Sequence, residues 1–473
     1  MTRRTLSIVA AAMFLALACA GMVLGNMTRQ ETLSGDPGRS EVKNGVLSLS
    51  GTFSQSKLYS RGDGLVGLLL TLRADDIRLA DQPARSVDLV VVLDRSGSMA
   101  GEKIEDARRA VNELISGLGD TDRIALVSYS TDVTVHTPLT HAGPGNRALL
   151  ESMVRGIVAN GGTNLGGGLD MGMALMDQGG DSRRLGRVVL VSDGHANHGV
   201  TSPAELGRMA RRAHSRGYSV TTVGVGVDYN EQLMATVADE GGGNYYFLEN
   251  PAAFAEVFQR ELRLTRAVAA SAVEIRLPLT NGIELVHAAG YPVEMQGNTA
   301  VFRPGPVRSG QTRELFVTLR MPTGREAEYT LKGLSAGFDQ DGARRNMILE
   351  QPLSVSCIAD ESAAVASLRP DVWEKQVLQE EYGKLREQVA EDVMRGDEAA
   401  AMSKIENYEK KQRAYNQTAG SEKVARNLDT DLQELEAQVR MSTAPNAAPE
   451  TTKRAAKAMQ SEAYDQRRSK MKQ

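Results

Sequence analysis

Cysteine is nearly absent: Cys19 and Cys357 are the only two in 473 residues. Two cysteines, one of them inside an apolar N-terminal run, cannot build a disulfide framework. Aromatics are scarce at 4%, with a single Trp, so surfaces that stack bases or sugars are not to be expected. Charge of one sign is lacking too, since 55 basic residues against 59 acidic ones leave −4. That excludes a strongly basic nucleic-acid binder and an acid-rich disordered chain. Beyond the N-terminus no apolar run is long enough to cross a bilayer. What is present is a chain that is 41% hydrophobic and long enough for about two to four domains of roughly 100–200 residues. Its 46 glycines point to many tight turns and close backbone approaches.

The first residues are an address. Arg3 and Arg4 precede the apolar run Leu6 to Gly25, the form of an export signal. Ala18-Cys19-Ala20 fits cleavage after small residues, and Val23-Leu24-Gly25 offers a weaker site. Retention of residues 1–25 as a membrane anchor and lipidation at Cys19 are the alternatives, although Ala16-Leu17-Ala18 places the Leu one position late for the latter. Residues 26–44, polar and containing Gly35-Asp36-Pro37-Gly38, read as a flexible leader.

Patterning then changes three times. Residues 45–85 include the strand-like VLSLSGTF and LVGLLLTL. From 86 to 264, continuous apolar runs (VDLVVVL, IALVSY, RVVLVS, SVTTVGVG) alternate with helical periodicity, as in Ile104, Ala107, Val111, Leu114 and Leu118. Ser202-Pro203-Ala204-Glu205 has the form of a capping box, and Asn230 that of a helix cap. Alternation of this kind predicts an α/β domain with a doubly wound, mostly parallel sheet, with VTVHTPL as an antiparallel edge. Residues 265–356 return to short strands at the spacing of a β-sandwich. Two strands before the α/β unit and six after it predict one sandwich with the α/β domain inserted in it. From 357 to 441 strand signals vanish, and Leu378, Tyr382, Leu385 and Val389 begin a helical hairpin or bundle. Gly396-Asp397 breaks the first helix and Ser421 caps another. Residues 442–473 read as a linker and a basic tail.

The chemistry lies in three loops of the α/β unit. Asp94-Arg95-Ser96-Gly97-Ser98 follows the first buried strand, Gly161-Gly162-Thr163-Asn164 lies between two helices, and Ser192-Asp193-Gly194 follows the fourth strand. All three fall at the carboxyl edge of the expected sheet, where such folds bind ligands. Together they converge two carboxylates, two Ser hydroxyls and a Thr hydroxyl, an all-oxygen set that suits Mg²⁺ and lacks the thiolates and imidazoles that zinc prefers.

DRSGSM, Thr163 and Asp193 resemble the metal-ion-dependent adhesion site of the von Willebrand factor type A domain, and the segment from Val220 to Pro251 is similar to bacterial members. The flanking strands bear a looser resemblance to exported bacterial proteins with the architecture of inter-alpha-trypsin-inhibitor heavy chains. The resemblance implies direct coordination by Ser96 and Ser98, and coordination by Thr163 directly or through water. It implies that Asp94 and Asp193 hold coordinated waters. The ion expected is Mg²⁺, with Mn²⁺ and Ca²⁺ as alternatives.

Other motifs weigh less. His195 and His198 could rim the metal face or hold zinc. Gly166-Gly167-Gly168 and Gly224-Val225-Gly226 lack the Lys-Ser/Thr of a phosphate loop. Arg-Gly-Asp, at 61–63 and 395–397, is ordinary turn chemistry, and Arg211 and Arg212 fit a solvated face. No catalytic nucleophile–base pair is evident, so no enzyme is expected. The function expected is an exported module that engages the Asp or Glu of a partner protein through Mg²⁺, with no nucleic-acid partner and with membrane attachment open at the N-terminus. The alternative is a cell-envelope assembly or scaffold protein whose C-terminal helices bind the partner while the metal site regulates.

Overall fold

The computed structural model describes residues 38–76, 86–179, 181, 184–250, 253–444 and 446–467. The export segment 1–25 and the leader as far as residue 37 lie outside them. Among the described residues no helix is long and apolar enough to cross a membrane.

Four strands come first: β1 (Arg39–Asn44), β2 (Leu47–Phe53), β3 (Lys57–Tyr59) and β4 (Leu65–Ala74). β2 turns Leu47, Leu49, Gly51 and Phe53 inward at period two, as a half-buried strand does. β1 corrects the expectation of a leader through residue 44. RSEVKN contains one apolar residue, Val42, so its own pattern carries no strand signal; pairing with β2 from Arg39↔Thr52 to Asn44↔Leu47 orders it.

The α/β unit runs β5 (Val87–Asp94), α1 (Glu102–Gly117), β6 (Arg123–Tyr129), β7 (Val133–His141), α2 (Pro144–Arg155), α3 (Leu165–Gly179), β8 (Leu185–Ser192), α4 (Pro203–Ser215), β9 (Ser219–Val225), α5 (Glu231–Glu240), β10 (Gly242–Leu248) and α6 (Phe254–Arg266). The sheet order is β10-β9-β8-β5-β6-β7, parallel except for β7, which is antiparallel to β6 at the edge. Every residue of β5 and β9 is buried, which explains their uninterrupted apolar runs. One face packs Ile104, Val111 and Leu114 of α1 against Phe254 and Phe258 of α6, and the other packs Leu169 of α3, Leu206 of α4 and Leu233 of α5. The N-terminus of α4 differs from its sequence signal: Ser202 occupies the cap position but its side chain accepts no capping bond. Asn230 does cap α5, accepting from the Leu233 N–H at 3.0 Å.

Ten strands follow: β11 (Val268–Pro278), β12 (Glu284–Ala288), β13 (Val293–Gln296), β14 (Thr299–Phe302), β15 (Val307–Arg308), β16 (Thr312–Arg320), β17 (Ala327–Leu331), β18 (Ser335–Gln340), β19 (Ala343–Ile348) and β20 (Leu353–Ile358). They join the first four. The order β1-β2-β4-β16-β12 makes one sheet, β13-β14-β11-β18-β19 faces it, and β17-β20-β3 closes one side. β4 pairs with β16 along its length, from Leu65↔Arg320 to Arg73↔Thr312. One core spans both segments, with Leu47, Leu68 and Leu70 among Ile275, Phe302, Leu315 and Phe338. The α/β unit is thus inserted in the sandwich.

The helical region comprises α7 (Glu361–Ala366), α8 (Pro370–Lys375), α9 (Tyr382–Arg395), α10 (Glu398–Ala419), α11 (Glu422–Arg426), α12 (Leu432–Thr443) and α13 (Pro449–Arg467), with π-helical turns at Gln376–Glu381 and Asn427–Asp431. α13 corrects the reading of residues 449–467 as linker and basic tail; residues 445 and 468–473 lie outside the described residues. Its Ala456 and Met459 are buried in the bundle core with Val389 and Leu435. Its basic residues find acids on the α/β unit: Lys453 pairs with Asp228 at 2.9 Å, Arg454 with Glu249 at 3.1 Å, and the buried Lys457 with Glu231. The spacing of Ala456, Met459 and Ala463 was the amphipathic signal available in the sequence.

Candidate metal centre

β5 and β8 lie side by side, with Leu93 opposite Val191, so the chain leaves both at one point of the carboxyl edge. The sheet reverses its strand order there, because β5 continues toward β6 on one side and β8 toward β9 on the other.

Four of the five expected residues, Asp94, Ser96, Ser98 and Asp193, are linked there by a chain of short contacts, and Thr163 faces them from a neighbouring loop. Asp94 is buried; its Oδ1 accepts from the Ser96 N–H at 2.8 Å and its Oδ2 from the Ser192 hydroxyl at 2.8 Å. A single 3-10 turn, Gly97–Met99, then brings Ser98 back beside Ser96, their hydroxyls 3.1 Å apart. The Ser98 hydroxyl donates to Asp193 Oδ1 at 2.7 Å. Thr163 enters from the loop before α3, fixed by its N–H to Asn197 Oδ1 at 2.8 Å and by its carbonyl, which accepts from the Asn197 N–H at 3.1 Å. A Cβ placed at Gly194 would lie 3.5 Å from Ser98 Oγ and 3.8 Å from Thr163 Oγ1, so the two hydroxyls face one small space. The loops are tied together by main-chain bonds: Gly97 N–H to the Gly161 carbonyl at 3.0 Å, and Asn160 N–H to the Arg95 carbonyl at 2.7 Å.

Burial pushes the Asp94 carboxyl up to about 6, against the lowering effect of its bonds from Ser96 and Ser192. Its donors are neutral, and a buried carboxylate without a cation is costly. The hydroxyl and carboxylate oxygens around it are hard, small ligands, the kind that Mg²⁺ takes. The residues therefore fit a divalent ion. Among the described residues no group of three His, Cys, Asp or Glu side chains is placed to hold a metal, and His195 and His198 are both exposed.

Three participants lie outside the five expected residues. Ser192 precedes Asp193 and steadies Asp94. Asn197 steadies Thr163. Lys103, in the first turn of α1, reaches Asp193 Oδ2 at 2.5 Å. The glycine clusters are packing devices. A Cβ at Gly168 would stand 2.6 Å from the Tyr129 ring, and one at Gly224 would stand 2.2 Å from the Tyr229 ring. The two Arg-Gly-Asp triplets are structural. Asp63 accepts from the Leu65 N–H in a turn, Gly396 ends α9, and Asp397 caps α10. Arg211 is not simply solvated; it forms a fork with Glu240 at 2.6 and 2.7 Å.

A sheet of this order, carrying hydroxyls and carboxylates at its switch point, is that of a von Willebrand factor type A domain, and residues 88–260 match that family. The inter-alpha-trypsin inhibitor heavy chain H4 of Homo sapiens is 32% identical over 162 residues, which are 33% of this chain and 17% of that one. An uncharacterized protein of Escherichia coli, YfbK, is 29% identical over 198 residues, 41% of this chain and 34% of that one. The match therefore spans well under two thirds of either relative. A von Willebrand factor type A protein from Catenulispora acidiphila superposes with a TM-score of 0.63 at 17% identity, covering 87% of this chain and 92% of that one, a likeness of fold. Domains of this family generally mediate protein–protein interaction and often bind a divalent metal.

Proposed function

We propose that the chain is an exported protein-binding module that holds Mg²⁺ among Asp94, Ser96, Ser98, Thr163 and Asp193 and engages an Asp or Glu of a partner protein. The observation that carries this reading is Asp94: a buried carboxylate served by neutral donors at the edge of a cluster of hydroxyls. Ser96 and Ser98 present their oxygens inward, Asp94 and Asp193 orient them, and the loop of Thr163 closes the third side. A bound divalent ion supplies an electrophilic position for an incoming carboxylate. Mn²⁺ and Ca²⁺ are the alternative ions. Export rests on Arg3, Arg4 and the apolar run behind them.

Calorimetry of Mg²⁺ binding tests it. Ser96→Ala removes one inward oxygen, and Mg²⁺ affinity is expected to fall at least about 10-fold while circular dichroism stays unchanged. Equal affinity in wild type and variant contradicts the site. A second reading, partner binding by the helical region under control of the metal face, is favoured by one observation: α13 grips the loop that follows β9 through Lys453 and Lys457. Partner binding that survives Ser96→Ala with the ion lost supports that reading.

A further inference from the structure

Lys103 stands where a helix least favours a cation. It is the second residue of α1, and the amide dipoles at a helix N-terminus repel positive charge. Its ammonium is nevertheless directed at Asp193, whose side chain is fully buried, while that of Lys103 is mostly so. The Asp193 carboxylate is thereby occupied at both oxygens, by the Ser98 hydroxyl at Oδ1 and by the Lys103 ammonium at Oδ2. Asp94 has no such partner. The two acids of the site are thus unequal, one facing a built-in cation and the other facing neutral donors.

We propose that Lys103 tunes the metal site: its ammonium lowers the site's affinity for a divalent ion alone and makes ion binding depend on a carboxylate from outside the chain. This rests on the metal reading above and extends it to the charge of the partner. Two carboxylates and one ammonium leave one net negative charge around the cluster. A divalent ion turns that into one positive charge, in a place where buried charges interact strongly. An incoming carboxylate restores neutrality. Without Lys103 the ion and the two acids already balance, and the loaded site has no residual charge to offer a partner. Lys103 therefore couples the two binding events, so each favours the other. It also selects an acidic partner over a neutral hydrogen-bonding one.

The test is calorimetry of Mg²⁺ on the full chain, with and without saturating acetate as the carboxylate probe, for wild type, Lys103→Met and Lys103→Arg. Lys103→Met is expected to bind Mg²⁺ at least about 10-fold more tightly than wild type in the absence of acetate. Acetate is expected to tighten Mg²⁺ binding to the wild type and to Lys103→Arg, and to leave Lys103→Met nearly unchanged. Lys103→Gln, polar and of similar length, provides a second neutral replacement should Met disturb the turn. Wild-type binding of Mg²⁺ with equal or weaker binding by both neutral variants overturns the role of Lys103 and leaves the metal site standing. No Mg²⁺ binding by the wild type or by Lys103→Met, with or without acetate, overturns the metal reading and this inference with it.

Discussion

Asp94 differs from Asp88, Asp122 and Glu261, three other acids buried in the α/β unit. Asp88 faces Arg123 and Arg184 at 2.6 Å each, Asp122 faces Arg266 at 2.5 Å, and Glu261 faces Arg187 at 2.6 Å. Each of those pairs offsets the cost of burial with an adjacent cation. For Glu261 the effect is visible: burial alone would raise its carboxyl, yet Arg187 and bonds from Tyr246, Thr221 and Asn244 hold it below the usual range. Asp94 has neutral donors in place of a cation, which is why its surroundings suit an ion. Another buried group sets a pH limit on stability. Burial pushes the His214 imidazole down to about 4; Arg303 and Arg344 act in the same direction, Glu274 against it. The unfolded chain takes up a proton near pH 6.5 that the folded chain refuses until about pH 4, so acidification favours unfolding. His214 is expected to cost about 2 kcal/mol of stability between pH 7 and pH 5. Urea unfolding at both pH values, compared with His214→Gln, checks it, and an identical pH dependence in the two proteins contradicts it. At this scale the placement of Asp94, Ser96, Ser98 and Asp193 at one edge of the sheet was legible, because DRSGSM and Ser192-Asp193 follow unmistakable buried strands. Lys103 was not, because nothing local to a helix N-terminus says which distant carboxylate its ammonium will meet.

Elements with their own periodicity were legible, and elements made by their neighbours were not. The runs VDLVVVL and SVTTVGVG become the fully buried strands β5 and β9, as their lack of alternation requires. β1 exists because the edge of β2 offers it a ladder. α13 exists because Ala456, Met459 and Ala463 give it a narrow apolar stripe and because its lysines meet acids that lie more than two hundred residues earlier. Lys457 is 3% exposed, donates to the Tyr229 carbonyl at 2.8 Å and sits 4.2 Å from the centre of the Tyr229 ring. Farther along, the Tyr464 hydroxyl donates to Asp239 at 2.8 Å and its ring meets Tyr245 edge-on. These contacts clamp both ends of α5. Lys457→Ala is expected to speed amide hydrogen exchange across Glu231–Glu240 and leave the amides of β4 and β16 unchanged, because the clamp is local and the sandwich has its own core. Uniform acceleration throughout the chain would instead mean that α13 supports the fold as a whole.

The molecule as a whole places its chemistry away from its scaffold. The sandwich spans the insertion, with β4 before it and β16 after it paired along their whole length, so the α/β unit is held at both ends. Arg266, the last residue of α6, pairs with Asp122, whose carboxylate also accepts from the Val87 N–H at 2.8 Å. That ties the entry and exit of the unit together at the amino edge of its sheet. The proposed metal site lies at the opposite, carboxyl edge. Such an arrangement was legible from the order of strand and helix patterns, whereas the register between the two halves of the sandwich was not, because apolar alternation in a strand does not name its partner. The most direct measurement is a crystal structure of the full chain soaked in Mn²⁺, with data collected at a wavelength where manganese scatters anomalously. One strong peak within bonding distance of the Ser96 and Ser98 hydroxyl oxygens is the result expected. No peak there, or a peak between His195 and His198 in its place, would contradict the assignment of this cluster as the binding centre.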